Sequence, residues 1–346
     1  MSTSNITFDD IAAYTHFSKT TISRYFNHPE SLTEKNRLII QKALEELDYK
    51  GNMIGKILAS GQSQMVGILI PSLHMHYYAD MLDNLLRLYT SQKFKFLIYE
   101  GHYEAEAERT YIQELLAYSI DGIIVFSHQL HSKELAGFGI PVVAIEREAE
   151  NVSSVNTDNY MGGVQATSLL YKNRCDKLYY IDNKVRTTTP SFQRLVGFRD
   201  ICRERGIPHE ILTSIMKGDS RDEEYGSYDS IRNLMNRLVE ENAGKRIGIF
   251  CANDTYANMI EKYVLRRYGN WPDHIRLIGF DNSPISSEAI VPLSTVGQQS
   301  NKIAMAAMEL LEEQIEAKRR KDPPPPIAHK VITPILFPRE TSVPEY

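Results

Sequence analysis

The chain has 346 residues, 42% of them hydrophobic and 24% charged, with a net charge of −5. That length exceeds one typical domain and supports two or three cores. No apolar run is long enough to span a bilayer, the first seven residues are too polar for a signal peptide, and the odd, widely spaced Cys175, Cys202 and Cys251 argue against a disulfide framework or zinc cluster. A cytoplasmic protein with no metal, no cofactor and no membrane partner is expected.

Thr7 is placed to cap a first helix, Phe8 to Tyr14, with Asp10 in a capping-box position and Phe8, Ile11 and Ala12 on one face. Ser18 caps a second helix whose inward side is Thr21, Ile22 and Tyr25. Its outward side carries Lys19, Thr20 and Arg24. The pair reads as a helix-turn-helix, with side chains of the types that reach base edges and phosphates in a major groove. Thr33 caps a third helix, Glu34 to Leu47, with Leu38, Ile39, Ala43, Leu44 and Leu47 available to close a three-helix core. A helical hairpin docked on the larger domain is the alternative that this pattern leaves open. The first sixty residues hold five Lys and two Arg against three Asp and four Glu. With no local excess of positive charge, non-specific phosphate binding should be weak, and any DNA face must come from the arrangement of Lys19, Arg24 and Lys56. The segment Gly51 to Gly61 follows as a weak helix, weakened further by Gly55 and too short to stand alone. It reads as a hinge that folds on binding, or as a plain linker.

From Met65 onward, short β-branched or aromatic runs alternate with amphipathic stretches. Strands are expected at Val66–Ile70, Phe94–Tyr99, Gly122–Phe126, Val142–Ile145, Leu178–Ile181, Ile247–Cys251 and Arg276–Phe280. Helices are expected at Tyr78–Gln92, Ala105–Tyr118, Tyr160–Lys172, Phe192–Arg205, Tyr225–Glu241, Asp254–Arg267 and Gln299–Lys318. Such alternation means parallel sheets covered by helices, here split into two lobes with a break near Asn156–Tyr160. Ligands of such sheets bind beyond the carboxyl ends of the strands, which selects Ser72 to Tyr78, Ser127 and His128, Glu146 and Arg147, Asn253 and Asp254, and Asp281 and Asn282. Carboxylates and amides beside an arginine and aromatic rings suit a polyhydroxylated ligand. His74 and His76 lack a third metal ligand at fixed spacing. Lys318 to Lys321 followed by four prolines reads as a helix end and an extended connector, before a last strand from His329 to Phe337. No nucleophile elbow, Walker loop or dinucleotide-binding glycine motif is present, so no enzyme is expected.

The spacing Ile11-Ala12, Ser18-x-x-Thr21-Ile22-Ser23-Arg24, Asn27, Leu44-x-x-Leu47-x-Tyr49 and Asn52 resembles the headpiece of the lac repressor (LacI) family. So do the later motifs Gly67–Leu73, Ile120–Ile124, Ile140–Val143, Arg194-Leu195-x-Gly197-Phe198, Asn253-Asp254, Gly279–Asn282 and Leu293–Val296. The resemblance runs from Ile6 to Ser342, departing from the family at Gly55 and Asn36. It implies a helix-turn-helix headpiece at 1–50, a hinge at 51–63 and a two-lobed α/β domain of the periplasmic-binding-protein type with parallel sheets at 64–346. The N-lobe would take about 64–157 plus 297–321, and the C-lobe 158–296 plus 322–346. DNA contacts would come from Ser18, Lys19, Thr20, Thr21, Ser23, Arg24, Asn27, Asn52, Lys56, Leu58 and Ala59, with Leu58 as a minor-groove wedge. Arg194, Asn253 and Asp281 would be the main effector contacts, followed by Glu146, Gln298 and Phe126. The loop carrying His76 and Tyr77 would lie over the cleft. Arg147 together with Arg194 could select a sugar acid or sugar phosphate, although pairing with Glu146 or Glu148, or exposure to solvent, is the preferred reading. The implied function is a homodimeric transcription regulator, reading palindromic double-stranded DNA and controlled by a sugar-like effector. Its architectural alternatives are a sugar-binding transport protein or a sugar-processing enzyme.

Overall fold

The computed structural model describes residues 6–27, 29–49, 63–88, 94–126, 129–147, 149–183, 185, 187–213 and 224–343. The chain divides into two compact units, one comprising Met1–Met65 with Tyr118–Asp121 and the other comprising the rest.

In the first unit, helices α1 (Phe8–Thr15), α2 (Lys19–Asn27) and α3 (Glu34–Glu46) surround one apolar cluster. The capping box forms as the sequence implies: Thr7 N donates to Asp10 Oδ2 at 2.8 Å, and Asp10 N returns a bond to Thr7 Oγ1. Ser18 Oγ accepts from Thr21 N at 3.1 Å, and Thr33 Oγ1 accepts from Asn36 N at 3.3 Å, so each helix begins on a hydroxyl. Ile11, Ile22 and Ile40 are fully buried, with Phe8 stacked on Phe26 beside them. One expectation fails. Leu38 is 60% exposed and Ile39 39% exposed, and Ile40 takes the inward place. At about 100° per residue, Ile40, Ala43, Leu44 and Leu47 share one arc, whereas Leu38 falls nearly opposite it.

The second unit holds two six-stranded sheets. The first runs β11-β5-β4-β3-β1-β2, built from β1 (Met65–Ile70), β2 (Lys95–Glu100), β3 (Gly122–Val125), β4 (Val142–Ile145), β5 (Ser153–Thr157) and β11 (His329–Ile332). The second runs β12-β10-β9-β8-β6-β7, built from β6 (Lys177–Ile181), β7 (His209–Leu212), β8 (Ile247–Cys251), β9 (Ile275–Asp281), β10 (Ser294–Gly297) and β12 (Ile335–Phe337). β12 pairs antiparallel with β10, while β6, β8, β9 and β10 pair in parallel. Alternation along β6 sends Tyr179 and Ile181 into one cluster and Leu178 and Tyr180 into the other, so both faces of this sheet are covered.

The chain passes between the sheets three times: at 157–159, at 297–300 and at 332–335. The third corrects the expectation that everything after residue 322 joins the C-lobe: β11 pairs with β5 of the first sheet, and only β12 reaches the second. The anticipated single strand His329–Phe337 is therefore two strands on different sheets. β5, β7 and β10 are further strands that apolar alternation misses, since β5 reads Ser-Ser-Val-Asn-Thr. No described helix is long and apolar enough to cross a membrane.

Candidate functional site

Two regions concentrate the candidate side chains. In the first unit, α2 buries Ile22 and exposes Lys19, Thr20 and Arg24 on its other side. Lys19 Nζ sits 2.8 Å from Asp9 Oδ2, both well exposed, a pairing that water weakens. Ser18 and Thr21 are engaged in the helix start, their hydroxyls 2.8 Å apart. Ser23 is half-buried. Asn27 closes α2. Asn52, Lys56, Leu58 and Ala59, and with them the hinge expectation, lie outside the described residues.

In the second unit, the site is organised by Arg194. It lies on helix Pro190–Glu204, whose neighbour Asn159–Lys172 approaches backbone to backbone. Glycine permits this contact: a Cβ on Gly163 would stand 2.2 Å from Arg194 O, and one on Gly197 2.4 Å from Tyr160 O. The guanidinium lies over Phe280, 3.6 Å from the ring centroid. Its Nε donates to Asn159 Oδ1 at 2.7 Å and its Nη1 to Ala252 O at 2.6 Å. Two carboxylates flank it: Glu146 Oε2 is 3.9 Å from Nη2, and Asp281 Oδ1 is 3.8 Å from Nη1. Glu146 follows β4 in the first lobe and Asp281 ends β9 in the second, so the arginine spans the lobes.

The carboxylates are tied to the crossing segments. Thr157 N donates to Glu146 Oε1, and Asn159 Nδ2 donates to Oε2 at 3.0 Å. Gln298 Nε2 donates to Asp281 Oδ1 at 2.5 Å while its Oε1 accepts from Thr157 Oγ1 at 2.8 Å. Thr157, Asn159 and Gln298 therefore link two of the three crossings to the arginine. Glu146 (φ 48°), Asp281 (φ 112°) and Gln299 (φ 59°) all hold left-handed backbone, a conformation that side chains disfavour and that clusters at functional sites. Burial pushes Asp281 well above the usual carboxylate range, against the pull of Arg194. Burial likewise raises the neighbouring Asp254 to about 7, although Thr295 and Ser283 donate to it.

Tyr77 is 8% exposed, and its hydroxyl meets no hydrogen-bond partner among the described residues. Burial drives its pKa far up, and the charges of Glu146 and Asp281 add to that, which places the phenol within their electrostatic reach. His76 Nδ1 is 2.9 Å from Thr255 Oγ1, joining helix His76–Arg87 of the first lobe to helix Asp254–Tyr268 of the second. Asn253 caps that second helix, its Oδ1 accepting from Tyr256 N at 2.9 Å. Phe126 belongs to the first-lobe core, edge-on to Tyr78 at 6.2 Å. The structure thus brings together Tyr77, Glu146, Arg194, Asp281 and Gln298, sets His76 and Asn253 at helix starts, and sinks Phe126. Sequence reasoning missed Thr157 and Asn159, whose only signal was their place at the lobe break.

Arg147 corrects an expectation. It is buried, its backbone N bonded to Asn156 Oδ1 at 2.7 Å. Burial lowers its pKa and the charge of Glu108 opposes that fall. Glu108, itself buried on helix Ala105–Ala117, lies within its electrostatic reach, and burial removes the solvent-facing alternative. Ser127, His128 and Glu148 lie outside the described residues. Among the described residues no group of three or more His, Cys, Asp or Glu is placed to hold a metal ion.

Comparison with known proteins places both units. Residues 7–52 match the family described as bacterial regulatory proteins, lacI family, and residues 167–342 match the periplasmic binding protein-like domain. The chain is 27% identical over 308 residues to the sucrose operon repressor of Streptococcus mutans, covering 89% of this chain and 92% of that protein. It is 26% identical over 313 residues to the ribose operon repressor of Halalkalibacterium halodurans, covering 90% and 91%. The crystal structure of the lac repressor dimer bound to operator and the anti-inducer ONPF superposes with a TM-score of 0.81 at 18% identity, covering 98% of this chain and 100% of that one.

Proposed function

We propose the following control cycle for this chain, which belongs to the lacI family of bacterial regulatory proteins. Two copies present their α2 helices to the half-sites of a palindromic operator in the cytoplasm, repress genes of carbohydrate uptake or breakdown, and respond to an uncharged sugar held between the lobes. Lys19, Thr20 and Arg24 supply base or phosphate contacts; Ser18, Thr21, Ser23 and Asn27 supply backbone contacts. No catalytic step is assigned to the cleft. Its relatives in sequence and structure are repressors of sugar operons and the operator-bound lac repressor dimer, which supports this reading.

The observation that carries the ligand class is the placement of Arg194 between Glu146 and Asp281. Gaps of 3.9 and 3.8 Å are too long for direct hydrogen bonds. A hydroxyl set to the side of each gap reaches both ends, accepting from the guanidinium and donating to the carboxylate at roughly 2.7–3.0 Å. At the Glu146 gap an unprotonated phosphate or carboxylate oxygen only accepts, so it would meet the guanidinium and be repelled by the adjoining carboxylate. The Nε edge of the Arg194 fork is already committed to Asn159, and Arg147 has its charge opposed by Glu108. Adjacent hydroxyls of a neutral sugar satisfy this pattern, with Tyr77, His76 and Asn253 at its margins. A charged phosphate or carboxylate group seated in the gaps does not.

Thermal shift of the full chain tests the proposal, using sucrose, D-ribose and cellobiose beside gluconate and glucose 6-phosphate. At 100-fold excess over Kd, a ligand of the folded state adds about 2.7 kcal/mol. At least one uncharged sugar should raise Tm, and the anions should not. Greater stabilisation by the anions refutes the ligand class. Selection from random duplexes should return a palindrome, and failure to enrich any duplex refutes the regulator.

A further inference from the structure

After β12, the last described residues fold back over the ends of β9 and β10. Thr341 Oγ1 donates to Leu277 O at 2.8 Å and accepts from Ser294 N at 2.8 Å, while Ser342 Oγ lies 2.6 Å from Ser294 Oγ. Thr341 and Ser342 are wholly buried. Arg339 joins through its backbone, N to Ser294 Oγ at 2.7 Å, with Ser294 Oγ donating to Arg339 O at 2.9 Å. These bonds fasten the tail without any help from the Arg339 side chain.

The guanidinium goes elsewhere. Nη1 donates to Leu293 O at 2.8 Å and to Ser286 Oγ at 3.1 Å, and Nη2 donates to Asn282 Oδ1 at 2.6 Å. Asn282 follows Asp281, and the two hold φ values of 54° and 112°. Consecutive non-glycine residues in that region persist only where surrounding contacts over-determine them. Asn282 N bonds Thr295 Oγ1 at 3.2 Å, and Ser283 N bonds Asp254 Oδ2 at 2.8 Å. The Arg339 contact is the bond made to the Asn282 side chain.

We propose that Arg339 is a positioning residue for the effector site: by gripping Asn282 it locks the Asp281–Asn282 turn, and so aims the Asp281 carboxylate at Arg194 and Gln298. The inference rests on the sugar-binding reading of the cleft and assigns to this remote arginine a share in effector affinity. Arg339 touches no residue of the Glu146–Arg194 pair, and its influence runs through one backbone turn.

Arg339→Lys keeps the charge near Asp254 but removes the planar fork, separating lost contact from lost charge. Two measurements on the full chain decide the matter. In hydrogen exchange without sugar, the Asn282 and Ser283 amides of Arg339→Lys should exchange at least roughly tenfold faster while β8 is unchanged. In titrations with sucrose, D-ribose and cellobiose, affinity for whichever sugar binds the wild type should fall about fivefold, the loss of one hydrogen bond. Adding Asn282→Gly, which adopts left-handed backbone without strain, should restore sugar affinity but not the lost thermal stability. Wild-type exchange at Asn282 and Ser283 overturns the proposal. So does a loss of affinity that Asn282→Gly cannot recover, since a mere fold staple would behave that way. If no sugar binds the wild type, the ligand reading fails by itself, and the exchange measurement still decides whether the clamp exists.

Discussion

Removing one oxygen from Tyr77 should stabilise the ligand-free protein and weaken its response to sugar. The ring is 8% exposed and its hydroxyl has no hydrogen-bond partner among the described residues. A buried hydroxyl without a partner costs about 1–3 kcal/mol, whereas the ring in Tyr77→Phe keeps its edge contact with Tyr78, 5.4 Å between centroids. Ligand-free Tyr77→Phe should therefore gain on the order of 1–3 kcal/mol, read as a rise of roughly 2–10 °C in Tm. The hydroxyl lies within electrostatic reach of Glu146, Asp281 and Arg194, where a sugar hydroxyl would complete it. Deleting it should weaken the sugar by about 0.5–1.5 kcal/mol, a two- to twelvefold rise in Kd. Differential scanning fluorimetry gives the first quantity and isothermal titration the second. A lower Tm for Tyr77→Phe would mean the hydroxyl is satisfied in the free protein, and the reasoning would be wrong.

Three other perturbations probe separate links. Gly163→Ala gains up to about 1 kcal/mol of helix propensity, but its Cβ would stand 2.2 Å from Arg194 O, so the helices must part. Overpacking of this kind costs roughly 1–3 kcal/mol and should abolish sugar response; a variant more stable than wild type, judged by urea denaturation, refutes the close-packing argument. Because burial raises Asp254 from 3.8 to about 7, the folded state binds more protons than the unfolded state between those values, so stability should fall as pH rises from 4 to 7. Asp254→Asn should flatten that fall, by an upper limit of roughly 4 kcal/mol, and an unchanged slope in melting experiments across that range excludes Asp254 as its source. Arg24 is exposed on α2, so Arg24→Ala should leave Tm unaltered and weaken the selected operator roughly 10–100-fold in electrophoretic mobility shifts. Equal operator affinity would remove Arg24 from the reading face.

What the sequence discloses here follows from how local each signal is. Caps are local: Thr7 with Asp10, Ser18 and Thr33 all sit where their spacing puts them, and so do the strands made of continuous apolar runs. Helix phase is less secure, since an apolar Leu38-Ile39-Ile40 run offers three choices of inward face, and Ile40 is the one in phase with Ala43, Leu44 and Leu47 that packs on Ile11 and Ile22. β5, and the sheet to which β11 belongs, are legible only through their partners. Ser153–Thr157 is polar because it lies beside an edge strand and leads into a crossing, and His329–Ile332 parts from Ile335–Phe337 because β5 offers it an edge. The site divides in the same way. Glu146, Arg194 and Asp281 announce themselves as charges at strand ends or within a motif, whereas Asn159 and Thr157 carry side chains found in any loop. The charge of Glu108 beside Arg147 was not legible because it is remote in sequence.

On the proposed reading, those missed residues carry the control. A ligand can bias two arrangements of the lobes only by contacting groups whose positions differ between them. Arg194 reaches Glu146 from the opposite lobe, and both carboxylates are bonded to segments that cross between the sheets. Hydroxyls seated in the two gaps would shorten the path from guanidinium to carboxylate and pull on Thr157 and Gln298, which are bonded to each other. The free energy of seating the sugar thereby enters the crossing segments directly, without travelling through either apolar core. On this account Thr157→Val, which keeps shape and deletes the Gln298 bond, should leave sugar affinity within about threefold of wild type while reducing the coupling between sugar and operator. Sugar titrations with and without operator duplex measure that coupling. An unchanged ratio of the two affinities would show that the lobes communicate by another route.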